Sequence, residues 1–286
     1  MCRDCGCSVP RTQQINDVHE HSHAPGSGHV HAHAQEYLAQ NTSETDDRDV
    51  DGREERRLTI QRSLTELNDH LAMHNRERFL HEKVVVVNLM SSPGAGKTRL
   101  LELTLGDLAG SLSTAVIVGD LATENDARRL QVTGMPVVPI TTGTMCHLEA
   151  DMIARACDQL NLGALDLLFI ENVGNLVCPA SFDLGEALRV VLMSVTEGED
   201  KPLKYPPMFK LADVVLVTKT DLVDAAGFDL AAALENIRQV APQARVIELS
   251  ARTGDGLNDW YGLLEQLVTG RRADRHNLEI IDGAAI

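Results

Sequence analysis

The sequence is poor in aromatic and in basic side chains. Phe, Trp and Tyr make up 3% of 286 residues, so a core has to be filled by Val, Leu, Ile and Ala, which the 43% hydrophobic fraction supplies. Lys and Arg total 26 against 42 Asp and Glu, a formal charge of −16. That excludes bulk nucleic-acid binding, which needs a basic footprint to displace counterions. It leaves room for a small anion held by local backbone donors. No apolar run approaches the ~20 residues that span a bilayer, and the N-terminus lacks the apolar stretch of a secretory signal. A cytoplasmic protein with neither nucleic-acid nor membrane partners is expected. At roughly 100–200 residues per domain, the length fits one large domain or one domain plus a tail.

What is present is unevenly placed. Of six cysteines, Cys2, Cys5 and Cys7 lie within the first seven residues, and six of eleven histidines lie between His19 and His33. Thiols in a reducing compartment are read as metal ligands rather than disulfides. Residues 1–57 show almost no apolar periodicity, and Asn41 to Arg57 is nearly all polar. Such a segment cannot offset its ordering entropy by burial, so a disordered Cys/His-rich metal-binding tail is expected over 1–57.

From Leu58 the pattern changes. Leu58, Ile60, Leu64, Leu67 and Leu71 predict an amphipathic helix running into Phe79 and Leu80. Val84–Leu89 reads as a fully buried strand, followed by strand candidates at Thr114–Gly119, Val137–Ile140, Leu165–Ile170, Arg189–Val195, Val214–Thr218 and Val246–Leu249. Between them lie helix candidates at Thr98–Leu108, Glu124–Gln131, His147–Gln159, Leu230–Val240 and Leu257–Leu267. Buried strands alternating with helices imply an α/β domain over 58–286, with a mostly parallel sheet and helices on both faces. Ligands on such sheets bind at the carboxyl ends of the strands.

The first strand ends in Ser91-Ser92-Pro93-Gly94-Ala95-Gly96-Lys97-Thr98, and a helix follows. This is the strand–loop–helix setting of a phosphate-binding P-loop. Gly94-Ala95-Gly96 lets the backbone bend so that N–H groups point inward. Lys97 neutralises the β- and γ-phosphates, Thr98 offers a hydroxyl to Mg²⁺, and the helix N-terminus adds its dipole. Ser91 stands where a glycine is usual, which requires its φ to be negative.

Thr218-Lys219-Thr220-Asp221 closes another buried strand and resembles the NKxD element of GTPases. Asp221 would accept from guanine N1 and N2, a donor pattern adenine lacks, with the Lys219 stem along the base. Thr218 replaces the usual Asn, removing one bracing contact. The next strand ends in Ser250-Ala251-Arg252, similar to the loop whose backbone N–H meets guanine O6. Glu171-Asn172-Val173-Gly174 follows the strand Leu165–Ile170. In GTPases an acid followed by x-x-Gly meets Mg²⁺ through water, and the Gly174 amide would read the γ-phosphate. Asp120 is a second strand-end carboxylate, either a Mg²⁺ ligand or a water-orienting group. No glutamine or arginine finger is evident, and since such groups are worth ~10³–10⁵ in rate, slow intrinsic hydrolysis is expected.

Three thiolates and a terminal amine at Cys2, Cys5 and Cys7 suit Ni(II) or Cu(II) if square-planar and Zn(II) if tetrahedral. The two H-x-H-x-H runs between His19 and His33 read as weak, multiple sites for storage. Cys146-His147 at a helix start and Cys178 beyond Gly174 would converge if both loops sit at the same end of the sheet. Three ligands are few for a closed site, which favours one shared across a two-fold axis.

The CxxCGC start, the His tract, SSPGAGKT, the Glu171–Pro179 string ENVGNLVCP and the Glu197–Pro206 string EGEDKPLKYP together resemble the HypB family of hydrogenase nickel incorporation proteins. The resemblance covers nearly the whole chain. It implies a SIMIBI-class GTPase that binds GTP or GDP with Mg²⁺, dimerises with nucleotide and supplies Ni²⁺ for [NiFe]-hydrogenase assembly. It implies a HypA-like nickel protein and the hydrogenase large-subunit precursor as partners. Family metal residues match Cys2, Cys5 and Cys7, and also Cys146, His147 and Cys178, where Ni²⁺ and Zn²⁺ both remain open. Glu197–Tyr205 is expected to be a mobile loop near the nucleotide or the dimer face. The competing readings are a urease-type nickel accessory GTPase, and a nickel storage protein with an idle P-loop.

Overall fold

The computed structural model describes residues 50–122 and 124–283, with side chains over 65–122 and 124–271. Cys2, Cys5, Cys7 and the histidines from His19 to His33 lie outside the described residues. The chain divides after Gln61, and every contact below belongs to Arg62–Ile286.

Seven strands form one parallel sheet: β1 (Val85–Ser91), β2 (Thr114–Asp120), β3 (Val137–Thr141), β4 (Leu167–Glu171), β5 (Leu188–Ser194), β6 (Val214–Thr218) and β7 (Arg245–Leu249). Their spatial order is β3-β2-β4-β1-β5-β6-β7. Helices α1 (Val50–Glu82), α2 (Lys97–Leu108), α3 (Asn125–Gln131), α4 (Ala150–Cys157), α5 (Lys201–Lys204), α6 (Pro206–Lys210), α7 (Val223–Ala226), α8 (Leu230–Val240) and α9 (Leu257–Gly283) connect and flank them. β1 is central and buried along its whole length, as its mainly apolar run implies, with Asn88 as a buried polar exception inside it. Its alternating side chains feed separate cores. Val85, Val87 and Leu89 pack with Leu101 and Trp260 on one face, while Val86 packs with Phe79 and Ile153 on the other. The sheet is therefore covered on both sides, and each strand's carboxyl end opens into loops at one edge of the layer. Among the described residues no helix is long and apolar enough to cross a membrane.

Two expectations change. Helix α1 was expected to bury a leucine stripe, yet Leu67 is 58% exposed and the buried face is Asn68, Ala72, Asn75 and Phe79. The two amides are buried because neighbouring backbone groups need partners. Asn68 Oδ1 accepts from the Ala150 N–H at 2.8 Å, at the start of α4. Asn75 Nδ2 donates to the Ala150 and Leu184 carbonyls at 2.8 and 3.2 Å. The second change concerns Glu197–Tyr205, which is not an open loop. Ser194 and Glu197 close a capping box, Lys201 pairs with Glu197 at 2.9 Å, and Pro202 is buried in the short α5. Its charges pair at i,i+4: Lys201 with Glu197 in a largely covered pair, and Lys204 with Asp200 at 2.7 Å on the surface.

Candidate functional site

The loop from β1 into α2 turns on Gly94 and Gly96, whose φ values of 78° and 103° lie in the left-handed region that glycine tolerates. Ser91 keeps a negative φ and is fully buried, so a serine is accommodated there. Its hydroxyl accepts from Lys97 Nζ at 2.8 Å and donates to the Ser92 carbonyl at 2.6 Å. Burial pulls the Lys97 pKa down, opposed by Glu171, Asp126 and Glu197. Thr98 donates to Glu171 Oε1 at 2.6 Å. The other carboxylate oxygen of Glu171 is buried with no hydrogen-bond partner. A hydroxyl and an orphaned carboxylate oxygen side by side are the hard donor set that Mg²⁺ takes. A cleft of about 440 Å³ opens here, with Lys97, Thr98, Asp120, Glu171 and Gly174 in its wall. Asp120 ends β2 and accepts from the Leu121 N–H at 2.6 Å. Arg129 of α3 also lines the cleft, braced by Glu102 at 2.9 Å and Asp126 at 3.3 Å. This guanidinium was missed in the sequence, because nothing in a short polar helix tells which way its arginine points.

A second cleft, of about 320 Å³, shares Gly96 and Arg99 with the first and is lined by Thr218, Lys219, Asp221 and Ala251. Thr218 makes one bracing contact to the loop: its hydroxyl donates to the Ala95 carbonyl at 2.7 Å. Lys219 takes φ 59°, and its Nζ donates to the Gly94 carbonyl at 2.7 Å, so the two strand-end residues tie this cleft to the phosphate loop. Ser250 donates to Asp221 Oδ1, and Arg252 approaches Oδ2 at 3.4 Å, which fixes the carboxylate at the cleft wall.

Cys146, His147 and Cys178 do converge. Their ligand atoms lie within 4.8 Å of one another, with the two sulfurs 2.8 Å apart. α4 starts at Ala150 rather than at His147, so Cys146 and His147 sit in the loop before it, beside Cys178. The His147 ring stacks on Phe182 at 3.8 Å, and its Nε2 lies 3.4 Å from Glu149 Oε1. Burial pulls the His147 pKa down against the opposing Glu149 carboxylate, which favours the neutral imidazole a metal needs. Among the described residues, soft sulfur and borderline nitrogen donors of this kind suit Ni²⁺ or Zn²⁺.

The segment from Glu171 to Cys178 therefore borders both places. Gly174 packs so closely on the P-loop that a Cβ there would lie 3.0 Å from Pro93 Cα. The family model of the CobW/HypB/UreG nucleotide-binding domain matches residues 85–248. A protein of Escherichia coli K12 named hydrogenase maturation factor HypB is 42% identical over 285 residues, covering 93% of this chain and 98% of its own. The chain belongs to the HypB family. A solved structure of HypB from Helicobacter pylori in complex with nickel is similar with a TM-score of 0.68 at 43% identity, covering 71% of this chain and 95% of that one. HypB from Archaeoglobus fulgidus gives 0.67 at 38%, covering 70% and 98%. The seven-stranded parallel sheet is thus the P-loop GTPase fold of HypB.

Burial pushes the carboxyl of Glu171 up to about 7, from 4.5, against the Thr98 hydrogen bond and the Lys97 charge. In this HypB chain without nucleotide or divalent cation, the folded form holds that proton where the unfolded form has lost it. Stability is therefore expected to fall as pH rises from 4.5 towards 7, the window in which the native state binds more protons. Thermal unfolding of Glu171→Gln against pH should lack this part of the slope; parallel curves would place the ionisation elsewhere.

Proposed function

We propose that the chain is a GTP-hydrolysing nickel metallochaperone that serves [NiFe]-hydrogenase maturation, its nucleotide state coupled to metal binding. The observation that carries this reading is the single segment Glu171–Cys178, which has a P-loop partner at one end and a thiol ligand at the other. Gly94, Ala95, Gly96 and Lys97 would cradle the phosphates through backbone N–H groups and one ammonium. Thr98 and Glu171 would hold Mg²⁺, with Asp120 near it as ligand or water-orienting group. When bound, that ion would supply charge neutralisation at the β- and γ-phosphates. The Gly174 N–H would read the γ-phosphate. Asp221 would select guanine, with Lys219 along the base and the Ser250-Ala251 backbone at O6. Ni²⁺ is the cargo, held by Cys146, His147 and Cys178 and by Cys2, Cys5 and Cys7; Zn²⁺ fits the same donors. Residues 1–57 act as the metal-collecting segment of a GTPase domain over 58–286.

Three ligands leave room for donors from a second copy, so a homodimer bridged by the metal is the expected assembly. A HypA-like nickel protein and the hydrogenase large-subunit precursor are the expected giver and receiver, in the cytoplasm. A Helicobacter pylori relative, 44% identical over 211 residues, is named hydrogenase/urease maturation factor HypB, so urease service is the second reading. Competition binding should show GDP and GTP displacing a labelled guanine nucleotide while ATP does not. Nickel affinity should differ between the GDP and GTP-analogue forms. Equal affinities with Cys178 intact would sink the coupled reading.

A further inference from the structure

Two asparagines in the segment Glu171–Cys178 grip the loop that carries Cys146 and His147. Asn172 is buried and anchored. Its own N–H donates to the Leu89 carbonyl at 3.0 Å and its Nδ2 to Asn88 Oδ1 in β1 at 3.3 Å. Its Oδ1 accepts from the N–H groups of Val173 at 2.9 Å and Leu148 at 3.4 Å. Asn88 in turn donates to buried Glu186 at 3.3 Å, so this end is pinned to the middle of the sheet. Asn175 differs. It lies just past Gly174, is only partly buried, and has one tie within its own segment: Oδ1 accepts from the Val177 N–H at 2.9 Å. Its Nδ2 reaches across and donates to the Cys146 carbonyl at 3.3 Å.

The arrangement has a fixed point and a moving arm. Asn172 cannot follow the backbone at Gly174 without breaking its bonds to the central strand. Asn175 can, and its amide holds the residue whose sulfur sits 2.8 Å from Cys178 Sγ. We propose that Asn175 is the positioning residue that carries displacement at Gly174 to Cys146, and so sets how Cys146 and Cys178 face a nickel ion in each nucleotide state. The inference rests on the coupled reading above and adds the side chain that transmits it. A phosphate arriving at Gly174, which lies against Pro93, moves the arm; the arm moves the Cys146 carbonyl; the thiolate pair opens or closes.

The test separates donor from acceptor. Asn175→Asp keeps an acceptor for the Val177 N–H and loses the donor to Cys146, while Asn175→Ala loses both. Both are made in the full chain carrying Cys2→Ala, Cys5→Ala and Cys7→Ala, so that thiolate-to-nickel charge-transfer absorption reports only the cluster at Cys146 and Cys178. Ni²⁺ is titrated into the GDP and GTP-analogue forms, and the ratio of the two affinities is the readout. The negative charge that Asn175→Asp introduces acts on both forms and cancels in that ratio to first order. The parent should show a ratio of roughly 5–150, the usual range of coupling between sites. Both variants should bring it to about 1, with the charge-transfer band no longer changing with nucleotide. A coupled parent with unchanged ratios in the variants overturns the role of Asn175 while leaving the coupled reading intact. A parent ratio of one overturns the coupled reading, and the role of Asn175 with it. Thermal unfolding of the variants checks that the fold is retained.

Discussion

Replacing Lys97 with alanine is expected to lower the rate of GTP hydrolysis at saturating GTP and Mg²⁺ by about 10²–10³-fold, the range for removing one preorganised donor from a developing oxyanion. The size follows from how the ammonium is kept. Lys97 is almost wholly buried; burial disfavours its charge, and its surroundings oppose that effect. Those are the Ser91 hydroxyl at 2.8 Å and the acids Glu171, Asp126 and Glu197. A buried cation aimed at the place where phosphate charge builds up needs little reorganisation during the reaction. Alanine removes the charge and leaves the Ser91 hydroxyl facing space. Lys97→Arg should also be impaired, since a planar fork does not fit a pocket shaped around a point charge. Phosphate release is the measurement. A loss of only a few fold would shift the main electrostatic role to Arg129, which lines the same cleft. In a strain lacking the native gene, Lys97→Ala should also fail to restore hydrogenase maturation. If maturation persisted, the P-loop would be idle and the chain a nickel store.

How much of this was readable in the sequence depends on which groups carry their own signal. Parallel strands buried on both faces read as apolar runs, so β1, β2, β5 and β6 were placed within two residues of their ends. The phosphate loop was readable because glycine, lysine and threonine sit at fixed offsets after a strand. Cys146, His147 and Cys178 were readable as candidate ligands by type, and their side chains do converge, as expected if both loops sit at the same end of the sheet. Other features depend on direction rather than type. Asn68 and Asn75 are buried because backbone groups of Ala150 and of the Asp183–Leu184 turn lie across from them, which no spacing of leucines announces. Arg129 faces the cleft only because α3 packs where it does. Phe182 stacks on His147 after a turn at Cys178–Ser181 that has no periodic pattern. The Thr218 hydroxyl reaches the Ala95 carbonyl, a tie that depends on how the two loops meet and not on residue type.

Replacing Cys178 with serine is expected to weaken nickel binding at the domain cluster by more than about 100-fold. Losing a group that merely orients a ligand costs about 10–100-fold, and here a ligand itself is lost. Serine is nearly isosteric, but its hydroxyl stays protonated at neutral pH and is a hard oxygen donor, whereas Ni²⁺ takes the thiolate. Cys146 and His147 would remain, too few donors to hold the ion alone. Proton bookkeeping adds a second signature. Thiols must ionise to bind metal, so binding releases protons and affinity rises with pH. In the parent two thiols of the cluster contribute; in Cys178→Ser only Cys146 does. The slope of log affinity against pH, taken below the thiol pKa values, should therefore drop by about one proton. The measurement is competition with a chromophoric chelator at several pH values, in the full chain whose Cys2, Cys5 and Cys7 are replaced by alanine. Unchanged affinity and slope in Cys178→Ser would move the cargo away from this cluster, to imidazoles such as those between His19 and His33. The nucleotide would then have no thiol to act on.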